Sequence, residues 1–205
     1  MFSAAFLLCS VTFAGAQNTS KADYPKVEVF IGYALLGENP RPFTFGLANA
    51  TGFETSVVRN FARHIGLVGD FSAHFHNETG RGLIAGCTTT CGTAVQDFQI
   101  KGRVYNFLAG PEFKARNRTR FTPFAHVLAG VAHTSNNFTS LGPPYNIVLK
   151  TSHNGFAMGV GGGLDIRATN RVSFRAQMDY NPVFTNEPGA GRRDLARISF
   201  GVLLH

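Results

Sequence analysis

Glu28, Asp70, Glu112, Asp165, Arg167, Arg175, Asp179 and Arg197 all fall where polar and apolar residues alternate, and all sit on the polar register. Carboxylates and guanidiniums gathered on one enclosed face must pair, because an unpaired buried charge is expensive. Their chemistry is then mutual neutralisation rather than turnover. Cys87 and Cys91 flank three threonines in Gly86-Cys-Thr-Thr-Thr-Cys-Gly92. A zinc site needs further ligands, usually a second close pair, and none is near. A disulfide is the expectation if the chain is exported. His74 and His76 share a face, but two imidazoles do not complete a metal site. Gly159-Val-Gly-Gly-Gly163 resembles a phosphate loop, yet a dinucleotide fingerprint requires a helix to follow. Leu164–Phe174 reads instead as strand, turn, strand. His126 has Leu128 where a nucleophile could have stood, so no nucleophile–base pair is legible. No catalytic residue, cofactor or metal is expected.

The chain that carries these residues has 205 amino acids, 44% hydrophobic and only 15% charged, with 20 phenylalanines, 23 glycines and no tryptophan. That is too apolar and too weakly charged for disorder. The glycines have no collagen period. Beyond the extreme N-terminus, no apolar run approaches the roughly 20 residues of a membrane-spanning helix. Met1–Ala16 is uncharged, apolar in its middle and closes on Ala14-Gly15-Ala16. It reads as a secretory signal peptide cut before Gln17. Residues 17–25 form a short leading segment, and 26–205 form one domain. The formal charge is +7. Its basic excess gathers at Lys114, Arg116, Arg118 and Arg120, with Arg63, Arg167 and Arg171 in similar settings. This reads as a solvated rim. Nucleic acid is not an expected partner, because nothing supplies a reading element.

No helical periodicity of any length appears. Period-2 segments recur instead, bounded by turn residues. Phe156, Met158, Val160, Gly162, Leu164 and Ile166 oppose Ala157, Gly159, Gly161, Gly163, Asp165 and Arg167. Val172, Phe174, Ala176 and Met178 oppose Ser173, Arg175, Gln177 and Asp179. Lys26–Leu36, Leu67–His76 and the last residues behave alike, and Gly52–Ala62, Phe98–Phe113 and Arg120–His133 fit less cleanly. Pro111 would break a ladder bond and calls for a bulge or a strand end. These segments make eight strands, each able to supply the 9–11 residues of a tilted membrane strand. Connections alternate in length: short at Arg63–Gly66, Arg116–Thr119 and Ala168–Arg171, long at Gly37–Thr51, Asn77–Gln96, Thr134–Asn154 and Asn181–Asp194. Short periplasmic turns and long outer loops are how outer-membrane barrels are wired. The polarity agrees, since the apolar register suits lipid while the charges meet in a lumen just wide enough for side chains. A soluble carrier barrel would have the reverse polarity. The fold expected is all-β: an eight-stranded antiparallel transmembrane β-barrel.

Glu28-Val-Phe-Ile-Gly-Tyr33, Gly110-Pro111, Pro123-Phe124-Ala125-His126, Gly161-Gly-Gly-Leu-Asp165 and Asp179-Tyr180, in this order and spacing, resemble the OmpA/OmpX-like bacterial outer-membrane barrel superfamily over roughly Tyr24 to His205. The resemblance implies an outer-membrane location, contact with outer-membrane lipid, insertion by the barrel assembly machinery, and no catalytic residues to carry over. Barrels of this kind usually end in an aromatic residue, whereas this chain ends Phe200-Gly-Val-Leu-Leu-His205. The function expected is a structural or surface-interaction barrel with a filled lumen, displaying loops to an external ligand. The alternative is a narrow pore or a lipid-modifying enzyme, such as the lipid A deacylases, whose His-x-Ser pattern His126 does not meet.

Overall fold

A computed structural model describes residues 24–38, 50–87, 91–140, 146–185 and 191–205. The signal peptide expected at 1–16 lies outside the described residues, as do 39–49, 88–90, 141–145 and 186–190. Eight strands follow in order: β1 Val27–Glu38, β2 Ala50–Asn60, β3 Ile65–Cys87, β4 Cys91–Lys114, β5 Phe121–Ser140, β6 Ile147–Arg167, β7 Val172–Thr185 and β8 Arg192–Leu204. Each pairs antiparallel with its sequence neighbour, and β1 pairs with β8 through Val29↔Leu204 to Glu38↔Leu195, closing the barrel. Closure leaves no full-length edge strand.

The three short turns form at 61–64, 115–120 and 168–171, within a residue or two of expectation. Their side chains organise them. Asn117 Oδ1 accepts from the Thr119 amide at 2.9 Å, and Thr169 Oγ1 accepts from the Arg171 and Val172 amides at 3.2 and 3.1 Å. Such local side-chain bonds favour turns over continued strand.

Three of the long connections are shorter than expected. Asn77–Gln96 and Thr134–Asn154 are largely strand, since β3 and β4 pair as far as Cys87↔Cys91 and β5 and β6 as far as Ser140↔Ile147. β7 also runs on to Thr185, into the connection expected at Asn181–Asp194. β3 to β6 are 23, 24, 20 and 21 residues long. A membrane crossing needs only about 9–11, so these four strands continue past it.

Pro111 makes no bulge. The β4–β5 ladder lapses at Gly110 and Pro111 and resumes in unchanged register at Glu112↔His126. The same happens opposite Pro182, where the β6–β7 ladder skips from Ala157↔Val183 to Val160↔Tyr180. A proline removes one donor but inserts no extra residue, so pairing lapses without a shift.

Ile31, Val57, Phe107, Val131, Phe174 and Phe200 point outward and are about half exposed. In water that skin would cost on the order of 25 cal/mol per Å²; against lipid it costs nothing. Their strand neighbours point inward and are buried. Gly110 and Gly130 on the inner register are required by close approach, since a Cβ at either would lie 2.0 Å from a backbone oxygen, of Val127 and Phe107 respectively.

Candidate functional site: the charged lumen and its mouths

Alternation places one residue in two inside the barrel, and strand order decides which of them meet. Toward the short-turn end, Glu28 of β1, Glu112 and Lys114 of β4, Asp165 of β6 and Arg175 of β7 converge. Lys114 Nζ contacts Glu28 Oε2, lies 3.2 Å from Glu112 Oε1 and 3.5 Å from Asp165 Oδ2. Arg175 donates to both oxygens of Asp165, from Nε at 2.7 Å and Nη2 at 2.9 Å. Its Nη1 lies 3.4 Å from Glu112. The guanidinium also sits over the Phe124 ring at 4.0 Å and near Phe30 at 5.6 Å. A two-pronged salt bridge under an aromatic face is a geometry arginine supplies and lysine does not. Glu28 further accepts from Arg116 at 3.2 Å and contacts His205 Nδ1 at 3.1 Å. The other nitrogen of His205 lies 2.7 Å from Ser173 Oγ. One imidazole therefore ties β1 to β7 across the closing strand.

A second cluster lies further in, around Arg197 of β8. Its Nη2 and Nε donate to Asp179 Oδ2 at 2.6 and 3.0 Å, and its Nη1 donates to Asp70 at 2.8 Å. Glu54 Oε2 is 3.3 Å from Nε. Gln177 bridges Glu54 and Asp179 at 2.5 and 3.3 Å. Ser199 donates to Glu54 at 2.5 Å. His126 joins the clusters, with Nε2 at 2.7 Å from Asp179 and Nδ1 at 4.0 Å from Glu112. Toward the outer end the filling turns apolar, with Leu36, Leu128, Ala132, Ala157, Val183 and Leu195 in one packed cluster.

Seven of the eight charges expected in the lumen are there and buried. The exception is Arg167. It keeps the inward register but stands exposed beyond the network, lining the mouth. Register fixes which face a residue takes, not how deep it lies. Four buried network members were missed by sequence reasoning: Glu54, Lys114, His126 as a pairing group, and Gln177. For Lys114 a signal existed. It continues the inward register of Asn106, Leu108, Gly110 and Glu112, although it also begins the basic run around its turn.

His74 is buried, and neither ring nitrogen has a partner among the described residues. It lines an outer cavity of about 280 Å³ together with His76. His76 Nε2 lies 3.3 Å from Glu78. Among the described residues no group of three or more potential metal ligands occurs. A larger cavity of about 690 Å³ opens at the short-turn end. The two cavities share no lining residue, and the charge clusters and apolar layer stand between them.

A closed barrel of eight strands, apolar outside and charge-paired inside, belongs to the class of membrane-spanning β-barrels. Its fold is that of the OmpA/OmpX-like outer-membrane barrels. Ail, the attachment invasion locus protein of Yersinia pestis, matches with a TM-score of 0.56 at 17% identity, over 87% of this chain and 96% of that one. Ail in complex with the heparin analogue sucrose octasulfate matches with a TM-score of 0.54 at the same identity and coverage. No family model and no curated protein matches the sequence.

Proposed function

We propose that this chain is a sealed barrel of the bacterial outer membrane that carries a wall of paired strands outside the cell as an interaction surface, without a catalytic step of its own. The observation that carries the reading is the unequal strand length. β1, β2, β7 and β8 have 11–14 residues, whereas β3 to β6 have 20–24. The surplus of about ten residues per strand, at about 3.3 Å each, raises the four adjacent strands about 30 Å beyond the rest before any tilt is counted. β3 beyond Phe75 and β6 before Gly155 pair on one side only. A paired wall holds its surface at lower entropic cost than a loose loop, which favours recognition. Arg81, Lys101, Arg103 and Lys150 are exposed on it. A barrel of the same fold, Ail, has been solved with a heparin analogue, which supports an external anionic ligand for this wall.

Export by the signal peptide and insertion by the barrel assembly machinery complete the reading. Outside the cell, Cys87 and Cys91 would form a disulfide. They are direct partners across the β3–β4 ladder, and facing residues there lie about 4.5–5.5 Å apart at Cα, within disulfide range.

The test is labelling of intact cells with a membrane-impermeant maleimide, in a chain whose own cysteines are serine. Lys150→Cys should react at once, and Arg118→Cys only after the cells are permeabilised. The reverse pattern would overturn the orientation. Cutting the wall back to Thr79 and Gln99 should keep the barrel but abolish attachment of cells to immobilised heparin. Attachment that survives the cut would overturn the role of the wall.

A further inference from the structure

We propose that the inner mouth of the barrel is a binding site for an anion carrying several phosphate groups. The argument begins with charge accounting at the cavity of about 690 Å³. Its floor is neutral. The carboxylates Glu28, Glu112 and Asp165 are matched by Lys114, Arg116 and Arg175, each within ion-pair distance of at least one of them. The wall is not neutral. Arg63 from the first short turn, Arg118 from the second and Arg167 at the third also line this cavity. They are exposed, and none forms an ion pair among the described residues. The cavity therefore carries an excess of positive charge from three different turns, at one end of a low-dielectric barrel that concentrates its field.

Contacts between the turns also hold the mouth in shape. Arg116 Nη1 donates to the Arg63 carbonyl at 2.5 Å, linking the first two turns. Tyr24 packs its ring 5.8 Å from the Arg116 guanidinium and donates to the Phe61 carbonyl at 3.1 Å. Converging guanidiniums repel one another, and a multivalent oxyanion relieves that repulsion. The planar guanidinium fork matches phosphate oxygens two at a time. A lone carboxylate would engage one arginine, whereas several linked phosphates present oxygens to more than one of the arginines that line the cavity. Thr122 and Ser173 add hydroxyl donors to the lining. The phosphates could come from lipid headgroups of the inner leaflet or from a soluble solute.

The test uses the full mature chain in nanodiscs of neutral lipid, titrated with tripolyphosphate by calorimetry. Saturable binding that weakens with salt is expected. Replacing Arg63, Arg118 and Arg167 together by Gln should weaken it roughly tenfold or more. Replacing Arg120 and Arg171, which are exposed at the same end but do not line the cavity, should leave it unchanged. All three arginines are exposed, so the heat-modifiable mobility of the barrel should survive and confirm the fold. Absence of saturable binding, or equal affinity in the triple variant, overturns the proposal. Adding cardiolipin, whose headgroup carries two phosphates, separates the sources: a loss of apparent affinity for tripolyphosphate greater than that caused by phosphatidylglycerol at equal charge marks headgroups competing for the same arginines, and equal losses mark a soluble phosphate.

Discussion

Replacing Arg197 by Met removes the cation at the centre of the inner cluster while keeping most of its length. The side chain is completely buried and faces three carboxylates, Asp179 at 2.6 Å, Asp70 at 2.8 Å and Glu54 at 3.3 Å. Two of them have other support. Asp179 keeps His126 and Gln177, and Glu54 keeps Gln177 and Ser199. Among the described residues Asp70 keeps no cation. Stranding one buried carboxylate costs about 3–5 kcal/mol. With a urea slope near 2 kcal/mol per molar, the unfolding midpoint of the barrel in detergent should fall by roughly 2 M. Circular dichroism is the suitable probe, because the chain has no tryptophan. Adding Asp70→Asn to Arg197→Met removes the stranded charge and should restore at least about 1 kcal/mol, a coupling expected of contacting residues. The surface control is Arg81→Ala. Its partner Asp97 lies 3.7 Å away with both side chains exposed, and its loss should cost less than about 0.5 kcal/mol. If Arg197→Met unfolds at the wild-type midpoint, or if Asp70→Asn gives no recovery, the lumen is not a mutually dependent charge network.

Three further outcomes follow from the same geometry. Gly161→Ala should cost about 1–3 kcal/mol, because its Cβ would lie 2.0 Å from Asp179 Oδ1 and 2.3 Å from the Met178 carbonyl oxygen. Gly69→Ala, with open space at that position, should be close to neutral in the same melts. Mature, unreduced protein should show no reactive thiol, and replacing Cys87 and Cys91 by Ser should leave the heat-modifiable barrel intact, since so short a closed loop removes little entropy from the unfolded chain. Planar bilayers holding the purified protein should show no open-pore steps; sustained conductance would mean that the buried pairs and the apolar layer leave a water path.

What the sequence disclosed tracks the two solvents each part of the chain meets. Inside the bilayer a strand has lipid on one face and a packed polar lumen on the other, so its residue types must alternate. β6 and β7 could be read residue by residue, and Asp165, Arg175 and Asp179 fell where the register put them. β2 was harder, and Glu54 with it. Thr51, Thr55 and Arg59 share the lipid-facing register, so the two faces differ little in polarity. Above the bilayer the contrast disappears altogether. On β3 beyond Phe75, residues of both registers are exposed or half-buried, and Asn77, Glu78, Thr79, Gly80, Arg81 and Gly82 show no alternation, although all are paired strand. Their glycines resemble loop residues, but two of them are there to admit a ring: a Cβ at Gly80 or Gly82 would come within 2.7 or 3.2 Å of Phe98, whose ring stacks on Phe138 at 5.8 Å. At the inner end the failure was one of depth. Lys114 and Arg167 are both inward by register and both next to basic turns, yet Lys114 is buried among three carboxylates while Arg167 stands in the open. The difference lies in the neighbours that strand order brings. Lys114 ends β4 beside the carboxylates of β1 and β6, whereas Arg167 ends β6 past Asp165, the last acid on its face. Alternation along one strand reports which side a residue takes. Charge partners are chosen across strands, by a closure that joins Glu28 to residues about 90 to 180 positions away, and no local pattern encodes that.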